Sequence, residues 1–131
     1  MSEILVNKLT GTSTAGSILV TGEGNSTTTS LQQGLAKVWT VMAQNVIQDS
    51  LNTSGTTDTG TGRYVVAFSS NMNSAEYSLT GGSYRLENNR SPGMAGFETP
   101  TTSQYEINYF NSGFSLSDMF RCYQKAHGDL A

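Results

Sequence analysis

"QYEINYF", residues 104–110, sets Tyr105, Ile107 and Tyr109 on one side of an extended chain and Gln104, Glu106 and Asn108 on the other. An apolar–polar alternation with a period of two is the pattern of a half-buried β-strand. "RYVVAF" (63–68) repeats it with Tyr64, Val66 and Phe68, preceded by the Gly-rich "GTTDTGTG", which reads as the turn of a hairpin returning from a strand over "VIQDSLNTS" (46–54). From Val38 the same period appears in "VWTVMA", with Val38, Thr40 and Met42 on one face and Trp39, Val41 and Ala43 on the other, so that both faces look covered. A weaker strand is expected over "EYSLT" (76–80) and a final one over "MFRCYQKA" (119–126). The expected core includes Trp39, Tyr64, Val66 and Phe68.

These segments predict a mainly β domain over residues 38–131, a small antiparallel β-sandwich or barrel. Composition agrees. The 131 residues carry 14 glycines, are only 13% charged and 36% hydrophobic, a balance that favours turns and strands over helix. The length suits one domain with room for an arm.

Residues 1–37 read as that arm. "EILVNKL" (3–9) and "SILVT" (17–21) are short apolar runs expected as strands, separated by "TGTSTAG" and closed by "GEGNSTTT". "TSLQQGLAKVW" then places Ser30 and Gln33 at capping-box spacing and Leu31 and Leu35 on one face of a helix expected over about 30–37. So short a helix, weakened by Gly34, needs another surface, and a second copy of the chain can supply it.

Charge and motif content narrow the function. A net charge of −3 argues against nucleic acid, because there is no basic stripe to displace counterions. No apolar run approaches the roughly 18 residues of a membrane span, and the opening residues lack a signal-peptide pattern, so synthesis in a cytosol without membrane insertion is expected. Cys122 is the single cysteine, which leaves no intramolecular disulfide and no thiolate metal cluster. A Cys122–His127 dyad is disfavoured because residues five apart on a strand point to opposite faces. The carboxylates at Asp49, Asp58, Glu76, Glu87, Glu98 and Glu106 form no motif. Asp58 suits an Asx turn better than calcium coordination, and "GEGNS" lacks the lysine of a phosphate-binding loop. Asn25, Asn52 and Asn89 begin N-x-S/T tripeptides that a chain so rich in Asn, Ser and Thr makes by chance. The residues point to a protein that is not an enzyme and needs no cofactor or metal.

Residues 81–103, "GGSYRLENNRSPGMAGFETPTTS", are the least regular stretch and are expected as a long loop. Tyr84, Arg85, Asn88, Asn89, Arg90 and Phe97 within it have the mix of aromatic and planar polar groups that binds sugars, with Tyr84, Arg85, Arg90 and Phe97 as the expected recognition residues. The plainer alternative is that Tyr84 and Phe97 cap the end of the sandwich.

"LVNKLTGTSTAGSILVTGEGNSTTTSLQQGLAKVW", "DSLNTSGTTDTGTGRYVVAF" and the ending "KAHGDLA" together resemble tail-fibre and related virion structural proteins of marine bacteriophages, those of cyanobacteria and pelagic bacteria. The family's aromatic-Asn-Gly loop after the tryptophan strand is missing from "TVMAQNVIQDS", and residues 81–117 lie outside the resemblance. The resemblance implies a virion component made in the host cytoplasm, a homotrimer whose copies bury Ile4, Leu5, Val6, Ile18, Leu19, Leu31 and Leu35 against one another. Its partners would be other tail or capsid proteins and, for a fibre-like appendage or adhesin tip, a host-surface glycan or receptor. A head decoration, spike or connector protein is the alternative within the same family.

Overall fold

A computed structural model describes residues 4–11, 18–21, 28–84 and 92–131. The chain divides into two compact units, Met1–Leu35 and Ala36–Ala131.

In the first unit, β1 (Leu19–Thr21) pairs antiparallel with β2 (Thr28–Ser30), with Leu19 opposite Ser30 and Thr21 opposite Thr28. A single helical turn, α1 (Leu31–Gly34), follows directly, and the Leu31 amide donates to the Ile18 carbonyl at 2.8 Å. The helix is shorter than its capping-box pattern suggests, because Gly34 ends it after four residues. Ile4 to Gly11 form no strand, contrary to the expectation for "EILVNKL": a lone apolar run makes a strand only where a partner strand takes up its backbone groups.

The described residues of the second unit hold eight strands: β3 (Val38–Ala43), β4 (Val46–Leu51), β5 (Thr53–Gly60), β6 (Arg63–Phe68), β7 (Ser78–Tyr84), β8 (Pro92–Glu98), β9 (Gln104–Phe110) and β10 (Arg121–His127). They form one sheet in the order β4-β3-β10-β7-β8-β9-β6-β5, antiparallel at every pairing. β8 passes between the two halves. Pro92 and Gly93 pair with Tyr84 and Ser83 of β7, and Met94 to Glu98 then pair with β9. The sheet edges, β4 and β5, follow one another in the chain, and β5 is tied by side chains to β3 and to the turn that leads into β4. Thr40 Oγ1 and Thr53 Oγ1 lie 2.6 Å apart, and Thr56 Oγ1 donates to the Asn45 carbonyl at 3.2 Å. The result is a nearly closed antiparallel barrel-like sheet.

The alternating strands lay down the core. Tyr64, Val66 and Phe68 of β6, Tyr105, Ile107 and Tyr109 of β9, and Cys122 and Ala126 of β10 are buried, together with Val38 and Met42 of β3 and with Met72 and Met119 from connecting segments. Phe68 and Phe97 both meet the ring of Tyr105, at centroid distances of 5.7 and 5.9 Å.

Trp39, expected in this core, is half-buried on the outer face. The inner position beside it belongs to Thr40, whose hydroxyl finds Thr53. With Val and Met on one face and Trp and Val on the other, β3 offers two apolar faces, and only its neighbours decide which turns inward.

Two further expectations change. "GTTDTGTG" is mostly the strand β5, and the turn is confined to its end. There the Gly60 amide donates to Asp58 Oδ1 at 2.9 Å, the Asx turn anticipated for Asp58. Gly62 has a φ of 69°, and a Cβ on it would fall 2.7 Å from the Ser117 amide nitrogen and 2.8 Å from the Tyr109 carbonyl oxygen, so that position requires glycine. Likewise the described part of the expected long loop is mostly strand, since β7 continues through Tyr84 and β8 runs from Pro92 to Glu98. Proline is tolerated at that first strand position.

Candidate functional site

The expected recognition residues do not gather. Arg85 and Arg90 lie outside the described residues. Phe97 turns inward and packs against the core, its ring edge-on to Tyr105 at 70°. Tyr84, near the opposite end of its hairpin, faces outward.

Tyr84 belongs instead to a surface that the register of three strands builds. On β10, Cys122, Gln124 and Ala126 point inward, so Arg121, Tyr123, Lys125 and His127 point out. Tyr123 pairs with Val41 of β3 and Gly82 of β7, while Lys125 pairs with Trp39 and Thr80. One step further along, Arg121 pairs with Ala43 and Tyr84. Trp39, Tyr123 and Tyr84 therefore lie on one diagonal across β3, β10 and β7. Diagonal neighbours on adjacent strands sit about 7–8 Å apart, within reach for large aromatic side chains.

The rings of Tyr84 and Tyr123 are nearly parallel, 21° between planes with centroids 6.2 Å apart, and Phe120 flanks Tyr84 at 6.4 Å. Hydrogen bonding with Tyr84 is the first cause that holds the Tyr123 phenol above its ordinary pKa. Beside this row runs a surface groove of about 490 Å³, walled by Trp39, Val41, Thr80, Tyr123 and Lys125. Gly82 leaves room in it, since a Cβ there would meet nothing within 4 Å. Arg121 and Lys125 bracket Tyr123 along the strand. Neither has a carboxylate partner among the described residues, and the buried Nε of Arg121 makes no hydrogen bond. Asp49, opposite Val41 on β4, is the nearest acidic position by register.

The interior offers little chemistry. Cys122 is buried, and burial pushes its thiol up to about 12, which leaves it protonated and unreactive at neutral pH. His127 lies on the other face of β10. Burial likewise raises the phenols of Tyr105 and Tyr109, and Tyr109 donates a 3.1 Å hydrogen bond to Gln124 Oε1. Tyr64 is raised by burial and by Asp118, whose carboxylate accepts from its hydroxyl at 3.3 Å and from the Gly62 amide at 2.7 Å. Among the described residues no cluster of three or more His, Cys, Asp or Glu could hold a metal ion. Asn52 is committed as well, accepting from the Ser70 amide at 2.6 Å and donating to its carbonyl at 2.9 Å.

In the first unit, Ile4, Leu5, Val6, Leu19 and Leu35 are exposed, the first two by more than four-fifths at 85% and 82%. Ile18 and Leu31 are half-buried.

The diagonal escaped sequence reading because Tyr123, Gly82 and Lys125 acquire meaning only once three strands that are distant in sequence are set in register. The parity of β10 was legible, and it alone places Arg121, Tyr123 and Lys125 on one face. No family model, no curated protein and no solved structure matches the chain.

Proposed function

We propose that the chain is a structural component of a phage particle, a tail-fibre-like appendage whose arm joins copies into a homotrimer and whose barrel-like domain faces the host surface. The observation that carries this reading is the exposure of Ile4, Leu5, Val6, Leu9, Leu19 and Val20 in a segment whose described residues form a three-residue hairpin pair and one helical turn. Apolar side chains on so slight a frame are stabilised by neighbouring copies, at about 25 cal/mol per Å² of surface removed from water. The resemblance of residues 2–39 to virion proteins points the same way.

The inward packing of Phe97 favours a second reading, a head decoration or connector that binds neighbouring virion proteins. Mass spectrometry and labelled imaging of purified particles test both. Copies on the tail in a multiple of three support the fibre, copies on the head support the decoration, and absence from the particle overturns both.

A further inference from the structure

We propose that the Trp39–Tyr123–Tyr84 diagonal is a binding site for an acidic polysaccharide, a chain of pyranose rings bearing carboxylates. The inference stands on the sheet face alone and does not depend on the chain's belonging to a virion.

Three observations converge on this chemistry. The first is the aromatic row, which crosses three adjacent strands. One face of a pyranose ring presents C–H groups and stacks on an aromatic ring, whose face carries partial negative charge. A row of aromatics two residues and one strand apart offers successive rings of a sugar chain successive platforms. Tyr84 and Tyr123 stack on one another, 21° from parallel, and so join into one aromatic surface in this row.

The second is the groove. Gly82 sits across from Tyr123 and contributes no side chain, so the flank of the tyrosine ring is open just where a sugar edge would lie. Thr80, in the next row, supplies a hydroxyl for the sugar's own hydroxyls. An open groove lined by the outward residues of three strands accommodates a polymer passing across it.

The third is charge. In a chain whose net charge is −3, the outer face of β10 carries Arg121 and Lys125 on either side of Tyr123. Four residues along a strand place them about 13 Å apart. With no carboxylate partner for either among the described residues, two cations flanking an aromatic platform complement anions repeated along a stacked chain. Asp49 lies beyond Val41 and so at the far edge of the groove from Gly82.

Trp39 is the single tryptophan, so its fluorescence reports the site directly. The full-length chain is titrated with oligogalacturonate as the acidic sugar, with a neutral galactan oligomer, and with polyglutamate as charge without sugar. The expected result is a saturable change in Trp39 emission with oligogalacturonate only. Gly82→Val adds bulk to open space on a strand that favours β-branched residues, and should weaken binding about tenfold or more with the melting curve intact. Tyr123→Ser and Lys125→Gln should each weaken it too, read by calorimetry so that the outcome does not rest on Trp39 alone. Equal binding of the galactan overturns the acidic assignment. Equal binding of polyglutamate makes the face a patch for acidic peptides and overturns the sugar. Binding that survives Gly82→Val in the folded protein, or no binding of oligogalacturonate at all, overturns the site.

Discussion

The two units of this chain use similar residues to opposite ends. Residues 19–21 and 104–110 are both strands rich in apolar or β-branched side chains, yet Leu19 and Val20 are exposed while Tyr105, Ile107 and Tyr109 are fully buried. The difference lies in partners rather than propensity. β9 has a strand on each side, β8 and β6, and an opposing layer of side chains to receive its apolar face. Among the described residues β1 has β2 alone, and a two-stranded pair buries little by itself. Apolar content thus has two meanings in one protein, a core where strands surround it and a surface where they do not.

The sharpest way to break this comparison is to hollow the core. Tyr105 meets both Phe68 and Phe97, so Tyr105→Ala should destabilise the barrel-like domain by about 3–5 kcal/mol in denaturant melts or prevent its folding. A loss below about 1 kcal/mol would mean that the aromatic layer does not hold the domain.

Alkali probes the same core without mutation. Burial raises Cys122 from 9.0 to about 12 and Tyr77 from 10.0 to about 12. Both groups are neutral when protonated and are held so in the folded state. Their contribution is therefore complete below pH 9, and it is lost as pH climbs from there through about 12, where the unfolded chain ionises first. Solvent screens the partly exposed Tyr77, so most of the loss, on the order of 4 kcal/mol at the alkaline limit, comes from Cys122, and Cys122→Ala should remove that part. Unfolding free energies between pH 8 and pH 12 check this, with a flat profile as the contrary outcome.

What the sequence made legible follows the same division. β6 and β9 were readable because large apolar side chains alternate with others along them, whereas β3 carries apolar residues on both faces and its inward side was not. β5 was not, since "TSGTTDTG" has no apolar face to alternate. It is a largely exposed edge strand held by its ladder to β6, and its Thr and Gly composition is also that of a turn. The start of β7 was anticipated in "EYSLT", but its continuation and β8 were hidden by Gly81, Gly82 and Pro92, residues that mark loops when no neighbouring strand is known. The candidate site failed to appear for a related reason. A strand pattern states which residues share a face, but a diagonal across β3, β10 and β7 needs the register between segments some 40 residues apart or more, and that is set by the finished sheet.

Trp39 sharpens the contrast within the domain. It is the largest side chain of β3, yet it lies on the outer face, so Trp39→Ala should cost only about 1–2 kcal/mol, well below the cost at Tyr105. Equal losses at the two positions would contradict the assignment of Trp39 to the outer face. A small loss with the domain intact also leaves the variant usable for binding measurements.

The smallest expected change in domain stability comes from the arm, and it tests what the arm is for. Leu31 and Leu35 sit at the end of the first unit, on and just after a single helical turn, and neither belongs to the core of the second. Replacing both by Asp should change the unfolding free energy of the barrel-like domain by no more than about 0.5 kcal/mol, the scatter of surface substitutions. The same change puts charge into the apolar surface proposed to join three copies, where an unpaired buried carboxylate is costly. Light scattering should then show the mass falling from three chains to one while the domain's circular dichroism and melt persist. A mass of three chains in the double variant would remove the arm from assembly, and a monomeric parent protein would remove the trimer. A melt that falls together with the mass would show that the domain depends on its neighbours for stability, and the contrast between a self-sufficient core and a dependent arm would have to be withdrawn.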